Sequence, residues 1–439
     1  MSFTVFINQK IKPFKKKIFV SGDKSLSIRW VLFASIASGI SKSTNLLMSE
    51  DVLAAINIIK KLGIKVKLSK KNCEIQSLGI NGYKYKKDLT LDAKNSGTLG
   101  RLILGLLINS NHKIKLIGDK SLSKRDFKRV ADPLQKFGAK IKLYKNKGLP
   151  LTIKGSNNLK PISYYEEKGS AQCKSSIIFA GLRTNGKTVI KAKKSRNHTE
   201  LLCKYLNLPV KIKNKKNFDL IEVYKADYIK PLNYKIPSDI SSSAFFIVLT
   251  ALSNNSKLKI QNVNINPSRT GIIKILKMMG VKINLNNVRK YKGELIADIE
   301  IVSSKNLKAI NCPPKFNSGA IDEFLLIFLV AAKAKGISVF KKLSELNEKE
   351  SPRLYWGAKI LNLIGIKTVV TGDSIKIYGN PKIDVTKKII IKNFLKDHRV
   401  FMTSVIAALC FGGKWQIHDK DSINTSFPSF LKIINNLSE

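Results

Sequence analysis

The sequence predicts an α/β protein of two domains, each made of three repeated α/β units, and two recurring patterns and the chain length carry that prediction. In the first pattern a short polar cluster runs straight into an apolar helix rich in small residues: KSLSIRWVLFASIA, NSGTLGRLILGLL, GSAQCKSSIIFAGL, SDISSSAFFIVLTAL, SGAIDEFLLIFLVAA and KDHRVFMTSVIAALC. These recur about every 70 to 80 residues, and self-similarity at a fixed period marks one supersecondary unit used repeatedly. The second pattern is an amphipathic helix, a capping residue and an alternating strand: INIIKKLGIKVKL, ADPLQKFGAKIKL, LLCKYLNLPVKI, IIKILKMMGVKINL and AKILNLIGIKTVV. Gly63, Gly138, Gly280 and Gly365 fill the cap position, with Asn207 once, as expected where a left-handed residue ends a helix. FLKIINNLSE reads as a sixth such helix without its strand. At about 100 to 200 residues per domain, 439 residues call for two or three domains, and three repeats per domain make two. The predicted division is residues 1–21 with 240–439, and 22–239. The chain crosses at KIPSDI and again near Ser21, if the N-terminal strand pairs with the later half.

The starts of the apolar helices are the predicted functional positions. Unpaired backbone N–H groups and the positive end of the helix dipole meet there, so several starts together would grip a multiply charged anion. In the first, Lys24 and Ser25 are placed at the cap with Arg29 just over one turn on, although an ordinary capped basic helix looks the same. In the second, Asn95 and Thr98 cap the start, Gly97 lets a backbone N–H approach a ligand, and Arg101 lies inside the helix. Arg125 falls in a loop before an amphipathic helix, where a solvated charge is the plainer reading. The third start offers Ser170, Gln172 and Lys174. Cys173 beside them reads as a buried thiol, since no histidine partner can be located. SRNHTE supplies Ser195 and Arg196, with a capping box from Thr199 and a structural His198. Asp322 and Glu323 stand before a wholly apolar run, where a carboxylate against an apolar wall would exchange protons near neutral pH. Glu345, Lys349, Glu350 and Arg353 would share a face on a helical turn, and Asp397, His398 and Arg399 cluster at the last start.

A formal charge of +49 invites a nucleic-acid reading. Lysine is spread through the whole chain, however, and in KVKL, KIKL and VKIK it alternates with apolar residues, which places it on a solvated strand face. Five cysteines at 73, 173, 203, 312 and 410 are odd in number and lack CxxC spacing, so no disulfide framework or zinc site is indicated and a reducing cytoplasm is expected. Four histidines show no metal-ligand spacing, and no metal is expected. The longest apolar run, FLLIFLVAA, is about half a membrane span.

Taken in order, GDKSLSIR, NSGTLGR, SLSKR, SAQCKSS, SRNHTE, SDISSSAF, NPSRTG, AIDE, KESPR, DHR and SFP resemble the 5-enolpyruvylshikimate-3-phosphate synthase family over nearly the whole chain. Each motif alone is weak, and the ordered set is specific. The resemblance implies an inside-out α/β barrel in each domain, of the enolpyruvyl transferase type, with the active site in the cleft between the domains. It implies transfer of the enolpyruvyl group of phosphoenolpyruvate to the 5-hydroxyl of shikimate 3-phosphate by addition and elimination of phosphate, in the shikimate pathway to chorismate and the aromatic amino acids. It assigns shikimate 3-phosphate to Lys24, Ser25, Arg29, Ser170, Ala171, Gln172, Arg196, Asp322 and Lys349. It assigns phosphoenolpyruvate to Lys24, Asn95, Gly97, Arg125, Gln172, Arg353 and Arg399. Asp322 and Glu350 are the expected proton-transfer groups, with Lys24 as acid or charge stabiliser and His398 as a further candidate. No cofactor, membrane or nucleic-acid partner is implied, and a cytoplasmic monomer is expected.

Three positions depart from the family pattern. Thr425 stands where many members carry a lysine, Asp126 where a proline often follows the arginine of SLSKR, and Glu345 where some relatives have asparagine. Gly97 is glycine rather than the alanine of glyphosate-tolerant members, so inhibition by glyphosate is expected. The alternatives are UDP-N-acetylglucosamine enolpyruvyl transferase, whose lysine-asparagine pair and loop cysteine this chain lacks, and a basic nucleic-acid-binding protein on a related repeat fold.

Overall fold

The structure is a computed structural model, and it describes residues 4–439. The chain forms two compact units, one of Met1–Ser21, Pro237–Tyr291 and Leu295–Glu439, the other of Gly22–Ile236 and Lys292–Glu294. The six predicted apolar helices are Lys24–Ala34, Gly97–Leu106, Ala171–Gly181, Ile240–Leu252, Phe324–Lys333 and His398–Phe411. They are buried on nearly every side, which their all-round apolar and small residues require. In the Gly22–Ile236 unit three of them pack together. Phe33 and Phe179 rings stand 4.9 Å apart, and Gly105 permits a close helix approach, since a Cβ there would lie 2.1 Å from the Ser176 carbonyl oxygen. The other three share the core of the second unit with Phe340, Trp415 and Phe430.

Around each core stand small sheets of three or four strands. A parallel pair encloses a buried helix in three clear cases. Leu89–Asp92 pairs with Ile114–Ile117, Ser163–Glu166 with Thr188–Lys193, and Val385–Ile391 with Gly412–Ile417. Two strands are exchanged. Lys15–Ile18 leads into the first buried helix but pairs with Lys257–Asn264, and Tyr234–Lys235 leads into the fourth but pairs with Ser38–Thr44. The amphipathic helices Glu50–Lys61, Lys128–Lys136, His198–Tyr205, Gly271–Met278 and Arg353–Leu363 follow in order. Gly63, Gly138, Gly280, Gly365 and Asn207 end them at positive φ, from 55° to 111°.

The sequence reading gave each repeat one strand after the amphipathic helix, whereas the structure has an antiparallel hairpin. Lys65–Ser69 turns back into Asn72–Leu78, Lys140–Tyr144 into Gly148–Lys154, and Val210–Asn214 into Phe218–Val223. The lysines of KVKL, KIKL and VKIK are exposed on edge strands of these sheets. Charge there blocks edge-to-edge pairing between molecules, a structural use for the excess of lysine.

All five cysteines are free and buried. Burial pushes the thiols of Cys73, Cys173 and Cys410 up to about 12, that of Cys312 up to about 11, and that of Cys203 well above the ordinary range. Since the thiolate is the nucleophile, native protein at pH 8 is expected to resist iodoacetamide at all five positions and to take five labels once unfolded. Mass spectrometry checks this, and a rapidly labelled cysteine in native protein would contradict it. No helix among the described residues is long and apolar enough to cross a membrane.

Candidate active site

Each unit presents a set of polar side chains at the starts of its buried helices. In the Gly22–Ile236 unit the cap of the first helix is Asp23, which accepts from the Leu26 amide at 2.9 Å, so Lys24 and Ser25 lie one and two residues inside the helix rather than at its cap. Lys24 Nζ is 2.9 Å from Asp51 Oδ2, a carboxylate on the next helix. Ser96 caps the second helix through the Leu99 amide, which leaves Asn95 free to donate to Asp119 at 2.6 Å and to accept from Arg125 Nη2 at 3.4 Å. Ser170 caps the third helix, and its own amide is held by Glu166 at 2.8 Å. Burial raises the pKa of that Glu166 carboxyl.

Three guanidinium groups are fixed among these starts. Arg29 is buried; Nε donates to Thr199 Oγ1 at 2.8 Å, Nη1 to the Ser25 carbonyl at 3.1 Å and Nη2 to Ser175 Oγ at 3.2 Å. Burial lowers its pKa to about 10 despite the pull of Glu200 and Asp23, so it remains a cation at neutral pH. Arg101 Nη1 donates to Gln172 Oε1 at 2.5 Å, and Gln172 Nε2 donates to Thr98 Oγ1 at 3.0 Å, which locks the amide in one orientation. Arg101 and Arg125 both border Gly97, where a Cβ would stand 3.1 and 3.2 Å from their Nη1 atoms. Two expectations fail here. Thr199 forms no capping box, because its hydroxyl is spent on Arg29 and Ser175. Lys174 cannot reach a ligand, since it is wholly buried and paired with Glu200 at 2.6 Å. His198 is structural as expected, buried with Nδ1 2.6 Å from Glu294 Oε1.

In the second unit Arg353 is the centre. It opens the helix Arg353–Leu363 and grips Asp397 through Nε at 2.9 Å and Nη2 at 3.2 Å, while Glu350 makes a close contact with Nη2 and Asp322 lies 3.4 Å from Nη1. Burial works against this cation, but Asp397, Glu350 and Asp322 outweigh it and raise its pKa. Removing one partner from such a buried pair costs about 3–5 kcal/mol, so Asp397, itself wholly buried, is a fixed anchor. Asp397 also caps the last buried helix through the Arg399 amide at 2.9 Å. Asp322 lies in a turn, because the predicted fifth apolar helix is broken into Asn317–Ala320 and Phe324–Lys333. It stands between Lys349 Nζ at 3.3 Å and Arg353, not against an apolar wall; the buried place belongs to Glu323. Glu345 is exposed in a separate turn and does not share the face with Lys349, Glu350 and Arg353. His398 Nδ1 is 3.4 Å from the Thr425 hydroxyl. Sequence reasoning gave no role to Asp51, Ser175 or Arg269. Arginine scarcity, ten against 69 lysines, was the signal that could have singled out Arg269.

Buried helices whose starts gather arginines, lysines, carboxylates and small polar residues have the donors that suit multiply charged anions and carboxylates that suit proton transfer. The EPSP synthase (3-phosphoshikimate 1-carboxyvinyltransferase) family profile matches residues 8–434. The 3-phosphoshikimate 1-carboxyvinyltransferase of Ruthia magnifica subsp. Calyptogena magnifica is 40% identical over 420 residues, 95% of this chain and 94% of that protein. That of Caldicellulosiruptor bescii is 38% identical over 434 residues, 98% of each. The solved EPSP synthase of Acinetobacter baumannii superposes with a TM-score of 0.88 at 36% identity, covering 99% of this chain and 98% of that one. The enolpyruvyl transferase NikO of Streptomyces tendae, at 14% identity and a TM-score of 0.79 over 100% of this chain and 98% of its own, shares the fold. The chain belongs to the EPSP synthase family and is an enzyme of that type.

Proposed function

We propose that the enzyme transfers the carboxyvinyl group of phosphoenolpyruvate to the 5-hydroxyl of shikimate 3-phosphate, acting as a cytoplasmic monomer. The observation that carries the reading is the pairing of fixed guanidinium groups with partly exposed carboxylates near helix starts, in a chain of this family. Ser25, Arg29, Ser170, Ala171, Gln172, Arg196 and Lys349 take shikimate 3-phosphate; Asn95, Gly97, Arg125, Gln172, Arg353 and Arg399 take phosphoenolpyruvate; Lys24 serves both. Arginine meets phosphate and carboxylate through two parallel N–H donors, which lysine cannot copy.

The 5-hydroxyl oxygen attacks C2 of phosphoenolpyruvate as its proton leaves to a carboxylate and C3 gains a proton. The adduct then loses a proton from C3 as the C2–O bond to phosphate breaks, and the double bond returns. Asp322 and Glu350 suit both transfers, because each is reachable from solvent while Asp397 is not. An arriving anion competes with Asp322 for Arg353, where the contact is long, and Lys349 keeps hold of the displaced carboxylate. Lys24 and the helix starts stabilise the negative charge that develops on phosphate as it leaves. His398, with its ring against Thr425, is the reserve proton carrier.

Phosphate release from phosphoenolpyruvate tests the reading. Release that depends on added shikimate 3-phosphate is expected, and none with either uridine-diphosphate sugar or no acceptor. Release driven by a nucleotide sugar, or none at all, would overturn it.

A further inference from the structure

Ten arginines stand among 69 lysines in this chain. A point charge is supplied by lysine almost everywhere, so an arginine marks a place that needs the planar fork. Arg269, in NPSRTG, is one of them, and the proposed reaction gives it no task. It is buried, and its Nη2 reaches two acceptors, Asp239 Oδ1 at 3.1 Å and Ser241 Oγ at 2.7 Å. Asp239 caps the helix Ile240–Leu252 by accepting from the Ser241 amide at 2.7 Å. The Ser241 hydroxyl in turn donates to Glu323 Oε1 in a close hydrogen bond. That same oxygen lies 3.8 Å from Arg399 Nη1, which also donates to the Ser241 carbonyl at 3.4 Å. The Arg399 guanidinium is backed by the Phe245 ring, 5.5 Å from its centroid.

The chain of contacts thus runs from Arg269 through Ser241 and Glu323 to Arg399, and Glu323 is only 1% exposed. We propose that Arg269 and Glu323 are positioning residues that fix the Arg399 guanidinium for an incoming carboxylate or phosphate, which the reading above takes to be phosphoenolpyruvate. The proposal rests on that reading. Two arginines and two carboxylates leave the network near neutral, so it adds little attraction for an anion and supplies orientation instead. Both bonds leave the far nitrogen Nη2, and a lysine side chain is shorter, so an ammonium at 269 would fall short of Asp239 Oδ1 and Ser241 Oγ and would lack the planar group that fixes their direction. Ser241 would then no longer present its hydroxyl to Glu323 in a fixed direction. Glutamine at 323 keeps an oxygen for Ser241 and loses the charge that faces Arg399.

The test is steady-state kinetics of full-length Arg269→Lys and Glu323→Gln, with both substrates varied and thermal unfolding recorded beside them. A guanidinium displaced by a fraction of an ångström should raise KM for phosphoenolpyruvate about tenfold in each variant, with KM for shikimate 3-phosphate and the unfolding midpoint nearly unchanged. In an Arg399→Lys background neither substitution should add a further twofold, since their effect passes through Arg399. Equal rises in both KM values, an unchanged or lowered phosphoenolpyruvate KM, or full additivity with Arg399→Lys would overturn the proposal while leaving the transferase reading in place. A wild-type chain that turns over no phosphoenolpyruvate overturns both. If Arg269→Lys fails to fold, Ser241→Ala removes the linking hydroxyl alone and carries the same expectation.

Discussion

Asp322→Asn is expected to lower kcat by about a thousandfold, within the range that loss of a positioned proton-transfer group produces, with KM for both substrates changed only a few fold. The substitution keeps the side-chain shape and one oxygen for Lys349 Nζ or Arg353 Nη1, both now within 3.4 Å. Substrate-binding cations therefore stay near their places, and what is removed is the ability to accept a proton. Asp397 cannot take over, because it is wholly buried and committed to Arg353, Ser351 and the Arg399 amide. Glu350 is the competitor for the role, since it too is part-exposed and touches Arg353. The pH dependence of kcat separates them. If Asp322 is the group, its acid limb disappears in Asp322→Asn and persists in Glu350→Gln. If Asp322→Asn retains a tenth or more of wild-type turnover, the assignment passes to Glu350.

That assignment shows where sequence stops and tertiary structure begins. The helix starts were legible because a polar cluster followed by an all-round apolar run has few other uses, and the caps because Gly63, Gly138, Gly280, Gly365 and Asn207 sit where positive φ is needed. The returning hairpin strands were not, because their turns use Lys70, Lys145 and Asn146 at positive φ in place of the usual Asn-Gly or Asp-Gly signal. Which residue caps a helix was also misjudged. Asp23, one residue before Lys24, and Ser96, between Asn95 and Thr98, accept the amide bonds, since capping is decided by where the first turn closes. Carboxylates at the fifth start were visible as a pair, but the break in that helix put Asp322 among cations and Glu323 in the core. Sequence adjacency could not have told them apart. Lys174 groups with Ser170 and Gln172 in the sequence because all three stand ahead of the same apolar run. Helical geometry turns Lys174 to the opposite side, into its pairing with Glu200.

Gly97→Ala is expected to raise KM for phosphoenolpyruvate about tenfold and to weaken glyphosate inhibition by more than that, while the protein folds as well as wild type or better. Gly97 is the first residue of its helix. Alanine there is favoured over glycine by up to about 1 kcal/mol, so folding stability should hold or rise. The new methyl would stand 3.1 Å from Arg101 Nη1 and 3.2 Å from Arg125 Nη1. Both atoms end flexible side chains, so the clash is relieved by moving a guanidinium rather than the backbone. The two differ in burial. Arg101 is buried and held by Gln172, by the Asp126 carbonyl at 3.0 Å and by the Phe127 ring 5.1 Å away, whereas Arg125 is part-exposed and has solvent to move toward. Arg125 should therefore yield, and it is the one proposed to hold phosphoenolpyruvate. An inhibitor that fills more of the space beside Gly97 than phosphoenolpyruvate does meets the methyl directly as well as the displaced arginine, which is why its affinity should fall further. Inhibition curves at fixed multiples of each variant's phosphoenolpyruvate KM, with thermal unfolding alongside, check this. A stable variant with unchanged KM and unchanged glyphosate inhibition would show that neither ligand comes near Gly97. A variant that loses stability would mean that the guanidinium groups cannot move aside.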